Sequence, residues 1–97
     1  MYEILLTPKA EIDLETFAVY EQRVIVDAME AHLAAEPFRE TKRRKQLRSN
    51  PLAPWELRVG NYRVFYTVDT PWTVKVLAIG VKRHNDLYIR LGCKVCW

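Results

Sequence analysis

Glycine is scarce in this 97-residue sequence, with three in all, and that shortage already narrows what the chain can be. Loops that cradle nucleotide phosphates need several glycines at fixed spacing, and neither G-x-G-x-x-G nor G-x-x-x-x-G-K-[ST] occurs. The H-E-x-x-H and G-x-S-x-G signatures of zinc and serine hydrolases are absent too. No apolar run approaches the ~20 residues that a helical membrane span needs. The start, MYEILLTPKAEIDL, lacks the basic opening and long apolar stretch of a secretory signal, so the cytoplasm is the expected compartment. Two cysteines stand near the end as Cys93-Lys94-Val95-Cys96. A redox or zinc reading of this C-x-x-C needs a helix N-terminus after a strand, or two further ligands, and neither is visible. The expected layout is one domain over residues 1–90 and a loose tail, 91–97, with reduced thiols. No metal and no cofactor are expected.

What is present is ordinary globular material, 49% hydrophobic and 28% charged, enough for one core. The charge is unevenly placed. Residues 1–37 hold eight acids against two bases, and residues 38–97 hold four acids against thirteen bases. An acidic half beside a basic half leaves one surface suited to a polyanion.

The order of elements points to an α+β fold. Tyr2 to Leu6 is rich in strand formers. Thr7-Pro8 fits a helix start, with Glu11 and Asp13 placed to favour the positive end of its dipole, and the helix is expected to reach about Phe17. A second helix is marked by Val24, Ile25, Ala28, Met29, His32 and Leu33 on one face, ending near Glu36 because Pro37 disfavours helix before it. His32 reads as a partly buried packing residue. A basic connector, 38–54, follows, and then strands at 55–59, 62–68 and 72–80; NDLYIR adds a short strand or a helical turn. Two N-terminal helices packed on one face of a small, mainly antiparallel sheet are expected.

The stretch ELRVGNYRVFY carries the first functional signal. Gly60-Asn61 suits a two-residue hairpin turn. That register opposes Val59 to Tyr62, Arg58 to Arg63, Leu57 to Val64 and Glu56 to Phe65. Trp55, Leu57, Val59, Tyr62, Val64 and Tyr66 then share a side that should carry the helices. Glu56, Arg58, Arg63, Phe65 and Thr67 share the other, outward side. Like charges directly opposite weaken a strand pair. Glu56 pairing with Arg58 would leave the second arginine's repulsion in place, so the two guanidinium forks are read as an anion site. The second signal is GVKRHNDLY, where Lys82, Arg83, His84 and Tyr88 are expected just beyond a strand end, projecting toward a cleft. A histidine such as His84 is a side chain that can donate or accept a proton.

The acidic helical hairpin, the basic KRRKQLR, then PWELRVGNYRVFYTV and VKVLAIGVKRHNDLYIR together resemble the RelE/ParE superfamily of toxins from type II toxin–antitoxin systems. The resemblance covers nearly the whole chain, is strongest over residues 47–90, and lies closer to the RelE branch. It implies a ribosome-dependent, metal-independent endonuclease that cuts messenger RNA and so inhibits translation. It also implies a cognate antitoxin as partner, with the ribosome and mRNA as targets. Carried over by position, it points to Arg58 and Arg63, to Lys82 or Arg83, and to Tyr88. Glu56 departs from the pattern, since RelE has a lysine there. In the chemistry so implied, Arg58 and Arg63 stabilise a phosphorane, Tyr88 or His84 protonates the leaving 5′-oxygen, and Glu56 is a poor candidate base beside an arginine. Lys82 or Arg83 would grip the backbone. Lys42, Arg43, Arg44, Lys45 and Arg48 would contact ribosomal RNA by charge. The alternatives are a ParE-like inhibitor of DNA gyrase, or a catalytically weakened member that only binds its antitoxin.

Overall fold

Pro8 opens a helix because its fixed φ and missing N–H are both harmless in a first turn. The Thr7 hydroxyl accepts from the Ala10 amide, 3.3 Å away, and completes the cap. The resulting α1 spans Pro8–Glu15, two residues short of Phe17. The computed structural model describes residues 2–34, 44–46, 54–69, 73–83, 86–89 and 93–95. Around α1 lie β1 (Glu3–Leu6) and α2 (Val19–Leu33), which ends before Glu36. The strands β2 (Arg44–Gln46), β3 (Trp55–Val59), β4 (Tyr62–Asp69), β5 (Thr73–Arg83), β6 (Asp86–Ile89) and β7 (Cys93–Val95) follow. No described helix is long and apolar enough to cross a membrane.

The strands form one mixed sheet in the order β2-β3-β4-β5-β6-β7, with antiparallel neighbours, while β1 pairs parallel with β5. The class is α+β. Three expectations are corrected here. The basic connector contains a strand, because Arg44–Gln46 pairs with β3. The third long strand does not stop at residue 80 but continues through Arg83, since β6 supplies a partner for Gly80 to Arg83. Lys82 and Arg83 therefore lie within a strand rather than beyond its end. Cys93–Val95 is not a loose tail at the backbone level, because it pairs with β6.

Helix and strand side chains meet in one buried cluster: Ala10 from α1, Ile25, Met29 and Leu33 from α2, and Leu57, Val59, Val64, Tyr66, Val74, Val76 and Ile79 from the sheet. The i, i+4, i+8 spacing of Ile25, Met29 and Leu33 places them on a single line along the helix. Val24, expected on that face, is 49% exposed, because it is rotated a full residue step from the line. The hairpin's expected inner face is present: Leu57, Val59, Val64 and Tyr66 are buried, with Trp55 and Tyr62 packed against them. Trp55 and Tyr66, directly opposed, stack with ring centroids 6.1 Å apart.

α1 also closes a gap in the sheet. β1 leaves β5 at Val76 and β6 joins it at Gly80, so among the described residues the intervening edge has no neighbouring strand. The Lys82 amide donates toward β4, to the Asn61 carbonyl at 2.7 Å, so by alternation the Ile79 amide points to the opposite edge. There it donates to Asp13 Oδ2 at 3.1 Å. Thr7 donates from both its amide (3.1 Å) and its hydroxyl (2.9 Å) to the Val76 carbonyl. Asp13, read from sequence as a dipole-compensating acid, is fully buried. A buried backbone N–H needs a partner, and where the sheet provides no strand a carboxylate takes its place.

Candidate functional site

The β3–β4 hairpin turns at Gly60, whose φ of 58° is the left-handed conformation that favours glycine. With that turn the pairing is Arg58 with Arg63, Leu57 with Val64 and Glu56 with Phe65, the register expected from sequence. The two arginines thus share one face. β5 continues the rows, opposing Gly80 to Arg63 and Ala78 to Phe65.

That face is not open to solvent along its whole length. Phe65 is fully buried, Ala78 is 4% exposed and Glu56 is 8% exposed. Glu56 resolves the like-charge opposition. Arg58 Nε donates to Glu56 Oε2 at 3.1 Å. Glu56 Oε1 lies 3.8 Å from Arg63 Nε. One carboxylate therefore faces both guanidiniums. The side chain reaches both because cross-strand and diagonal neighbours on one face lie within reach of long side chains. One positive charge is left in excess.

The two arginines differ in availability. Arg58 keeps 41% of its side chain exposed and Arg63 only 13%. Arg63 Nη1 also donates to the carbonyls of Gly60 (2.8 Å) and Tyr62 (2.9 Å), so its guanidinium is folded against the turn. Burial pulls its pKa below the ordinary value; Glu56 opposes this and Arg58 adds to it. The guanidinium stays charged under any ordinary condition.

Glu21 and Phe17 brace the hairpin at Tyr62. The Tyr62 hydroxyl donates to Glu21 Oε2 on α2, and Glu21 Oε1 accepts from the Ala18 amide at 3.0 Å. Phe17 meets the Tyr62 ring edge-on, with centroids 5.5 Å apart. The signal for Glu21 was in the sequence, as an acid in the first turn of a helix; its link to Tyr62 spans too many residues to read locally.

Of the other expected residues, Lys82 is exposed and its amide is tied to the hairpin turn at Asn61. The backbone register opposes Lys82 to Leu87, Arg83 to Asp86 and Tyr88 to Val81. Arg63 is opposed to Gly80, so Tyr88 occupies the row of Tyr62 and Val81, next to that of the arginines. His84, Lys42, Arg43 and Arg48 lie outside the described residues. Lys45 is opposed to Glu56 in the β2–β3 register. Arg44 has a structural contact: its Nη1 donates to the His32 carbonyl at 2.8 Å, near the C-terminal end of α2. A cation there satisfies a terminal carbonyl and the negative end of the helix dipole.

These residues sit in a fold that other proteins share. The chain is similar to a chain of the RelBE2 toxin–antitoxin complex from Mycobacterium tuberculosis, at 26% identity and a TM-score of 0.71, over 84% of this chain and 98% of that one. No curated protein sequence matches it. A family model described as the ParE toxin of the type II toxin–antitoxin system, parDE, matches residues 4–86. Spanning most of the chain, that match places it in the ParE toxin family of type II toxin–antitoxin systems, within the RelE/ParE superfamily.

Proposed function

We propose that this toxin is a ribosome-dependent endonuclease that cleaves messenger RNA and inhibits translation. The observation that carries the reading is the pair Arg58 and Arg63, opposed on one face of the hairpin. Guanidinium forks match phosphate oxygens, and in RNA the 2′-hydroxyl can attack the adjacent phosphorus. In this proposal Arg58, with Lys82 nearby on β5, meets the phosphate and stabilises the phosphorane, while Arg63 adds charge from behind. Tyr88 or His84 protonates the departing 5′-oxygen, and Arg83 grips the backbone. Glu56, held between two cations, suits the role of their counter-ion better than that of a base. Lys42, Arg43, Lys45 and Arg48 contribute charge toward ribosomal RNA. Arg44 contributes less, because its guanidinium already serves the end of α2.

The same reading takes the RelE-like layout, both N-terminal helices on one sheet face, as the scaffold, and the shared core cluster supports it. It includes a cognate antitoxin in the same cytoplasm, and the similar structure is a toxin–antitoxin complex. Val19 and Tyr20, 75% and 73% exposed at the start of α2, leave apolar surface that an antitoxin segment could cover.

A second reading, a gyrase inhibitor that acts by binding, draws on the ParE description of the family and on the neutralisation of the arginines by Glu56. One experiment separates them: add the purified toxin to an in vitro translation reaction and map RNA 5′ ends, with a parallel gyrase supercoiling assay. New ends within translated codons, absent without ribosomes, are expected. Intact messages together with blocked supercoiling would establish the second reading instead.

A further inference from the structure

Glu56 occupies the place that a bound anion would take. Its two oxygens approach the Nε atoms of Arg58 and Arg63, at 3.1 Å and 3.8 Å, from the same face of the hairpin. It is the deepest of the three, at 8% exposed for the whole residue. We propose that Glu56 is an intramolecular counter-ion that competes with phosphate for the two guanidiniums, so that a phosphodiester reaches Arg58 while Arg63 stays committed to the carboxylate. The inference rests on the reading that this face meets RNA phosphate.

Three observations combine. Among the described residues Arg58 bonds through Nε alone, which leaves its terminal amino groups for a ligand on the exposed side. Arg63 is held by two hydrogen bonds from Nη1 to the carbonyls of Gly60 and Tyr62 and by a looser ion pair, 3.8 Å, between Nε and Glu56, and only 13% of its side chain is exposed. A phosphate placed between the arginines would also stand within a few ångströms of the Glu56 carboxylate, and like charges at that distance in a partly buried site repel strongly. The site therefore binds a lone phosphate weakly. Affinity must come from further contacts along a strand, such as Lys82, exposed on β5. A lysine or a neutral residue at position 56 would open the pair to both guanidiniums; a glutamate restricts it to one.

The test follows the arginine Nε–Hε resonances by nitrogen-15 NMR while a short single-stranded 2′-O-methyl RNA is added to the full chain. Such RNA lacks the attacking hydroxyl, so binding is read without cleavage. In the wild type, the Arg58 signal should move and the Arg63 signal should not. In Glu56→Gln both should move, with affinity about tenfold tighter. The slope of log affinity against log salt should steepen by roughly 0.7 for each added phosphate contact. Glu56→Asp, which keeps the charge but shortens the reach, should fall between the two. Equal movement of both arginines in the wild type would overturn the assignment, and that arm depends on no variant folding. Weaker or unchanged binding by a folded Glu56→Gln protein would overturn it too, showing the carboxylate to be a positioning group. If this binding pattern appears but translated messages stay uncut, the nuclease reading fails and the counter-ion assignment stands.

Discussion

Both faces of the β3–β4 hairpin hold fully buried side chains, but different physics buries them. On one side Leu57, Val64 and Tyr66 are fully buried in an apolar cluster, held by removal of apolar surface from water. On the other side Phe65 is equally buried, but its neighbours are a carboxylate and two guanidiniums. The first face is mainly aliphatic and aromatic, and the Tyr62 hydroxyl is accommodated by donating to Glu21. The second tolerates charge only because the charges satisfy one another. Alternation along a strand assigns side chains to faces, yet it cannot say whether a charged face is open or internally neutralised.

Breaking the apolar face should have the largest effect. Leu57→Ala should cost about 2–5 kcal/mol in urea unfolding, while the Arg58 Nε–Hε signal of the folded fraction keeps its position. A cost under 1 kcal/mol would mean that the cluster repacks freely. Next comes the sheet edge closed by α1. Asp13→Ala removes a charged acceptor from the Ile79 amide and should cost about 1.5–3 kcal/mol, seen also as faster hydrogen exchange at Ile79. Unchanged exchange there would show that another group takes over.

Tyr66 sharpens the contrast through pH. Burial raises its phenol pKa, with Arg44 acting in the opposite direction. Above the unfolded value of ~10 the unfolded chain has lost this proton and the folded chain keeps it. Unfolding then releases a proton, so stability should fall with rising pH by up to about 1.4 kcal/mol per unit. Tyr66→Phe should flatten that slope, and a slope of equal size in the variant would assign it elsewhere. The smallest effect belongs to the turn: Gly60→Ala forces a side chain into a left-handed φ and should cost about 1 kcal/mol. It should disturb Arg63, which donates to the Gly60 carbonyl, more than Arg58.

Much of this molecule was legible in its sequence where the controlling interactions are local. Thr7-Pro8 signalled the start of α1, Gly60-Asn61 fixed the hairpin register, and that register alone put Arg58 beside Arg63. Long-range satisfaction of polar groups was not legible. Asp13 looks like any acid of a short helix until Ile79, far along the chain, is brought against it. Arg44 looks like one more member of a basic run until the end of α2 arrives beside it. The extension of β5 through Arg83 was hidden because charged residues at a strand's end carry no periodic signal; a partner strand decides it.

The central claim is that the charged face of the hairpin is the face through which the toxin acts, with Arg58 as its outward contact. Growth after induction of the wild type, Arg58→Ala and Arg63→Ala, each checked for an unchanged melting temperature, tests it most directly. Arrest by the wild type and continued growth with Arg58→Ala are expected. Arrest of equal strength by a stably folded Arg58→Ala protein would contradict it.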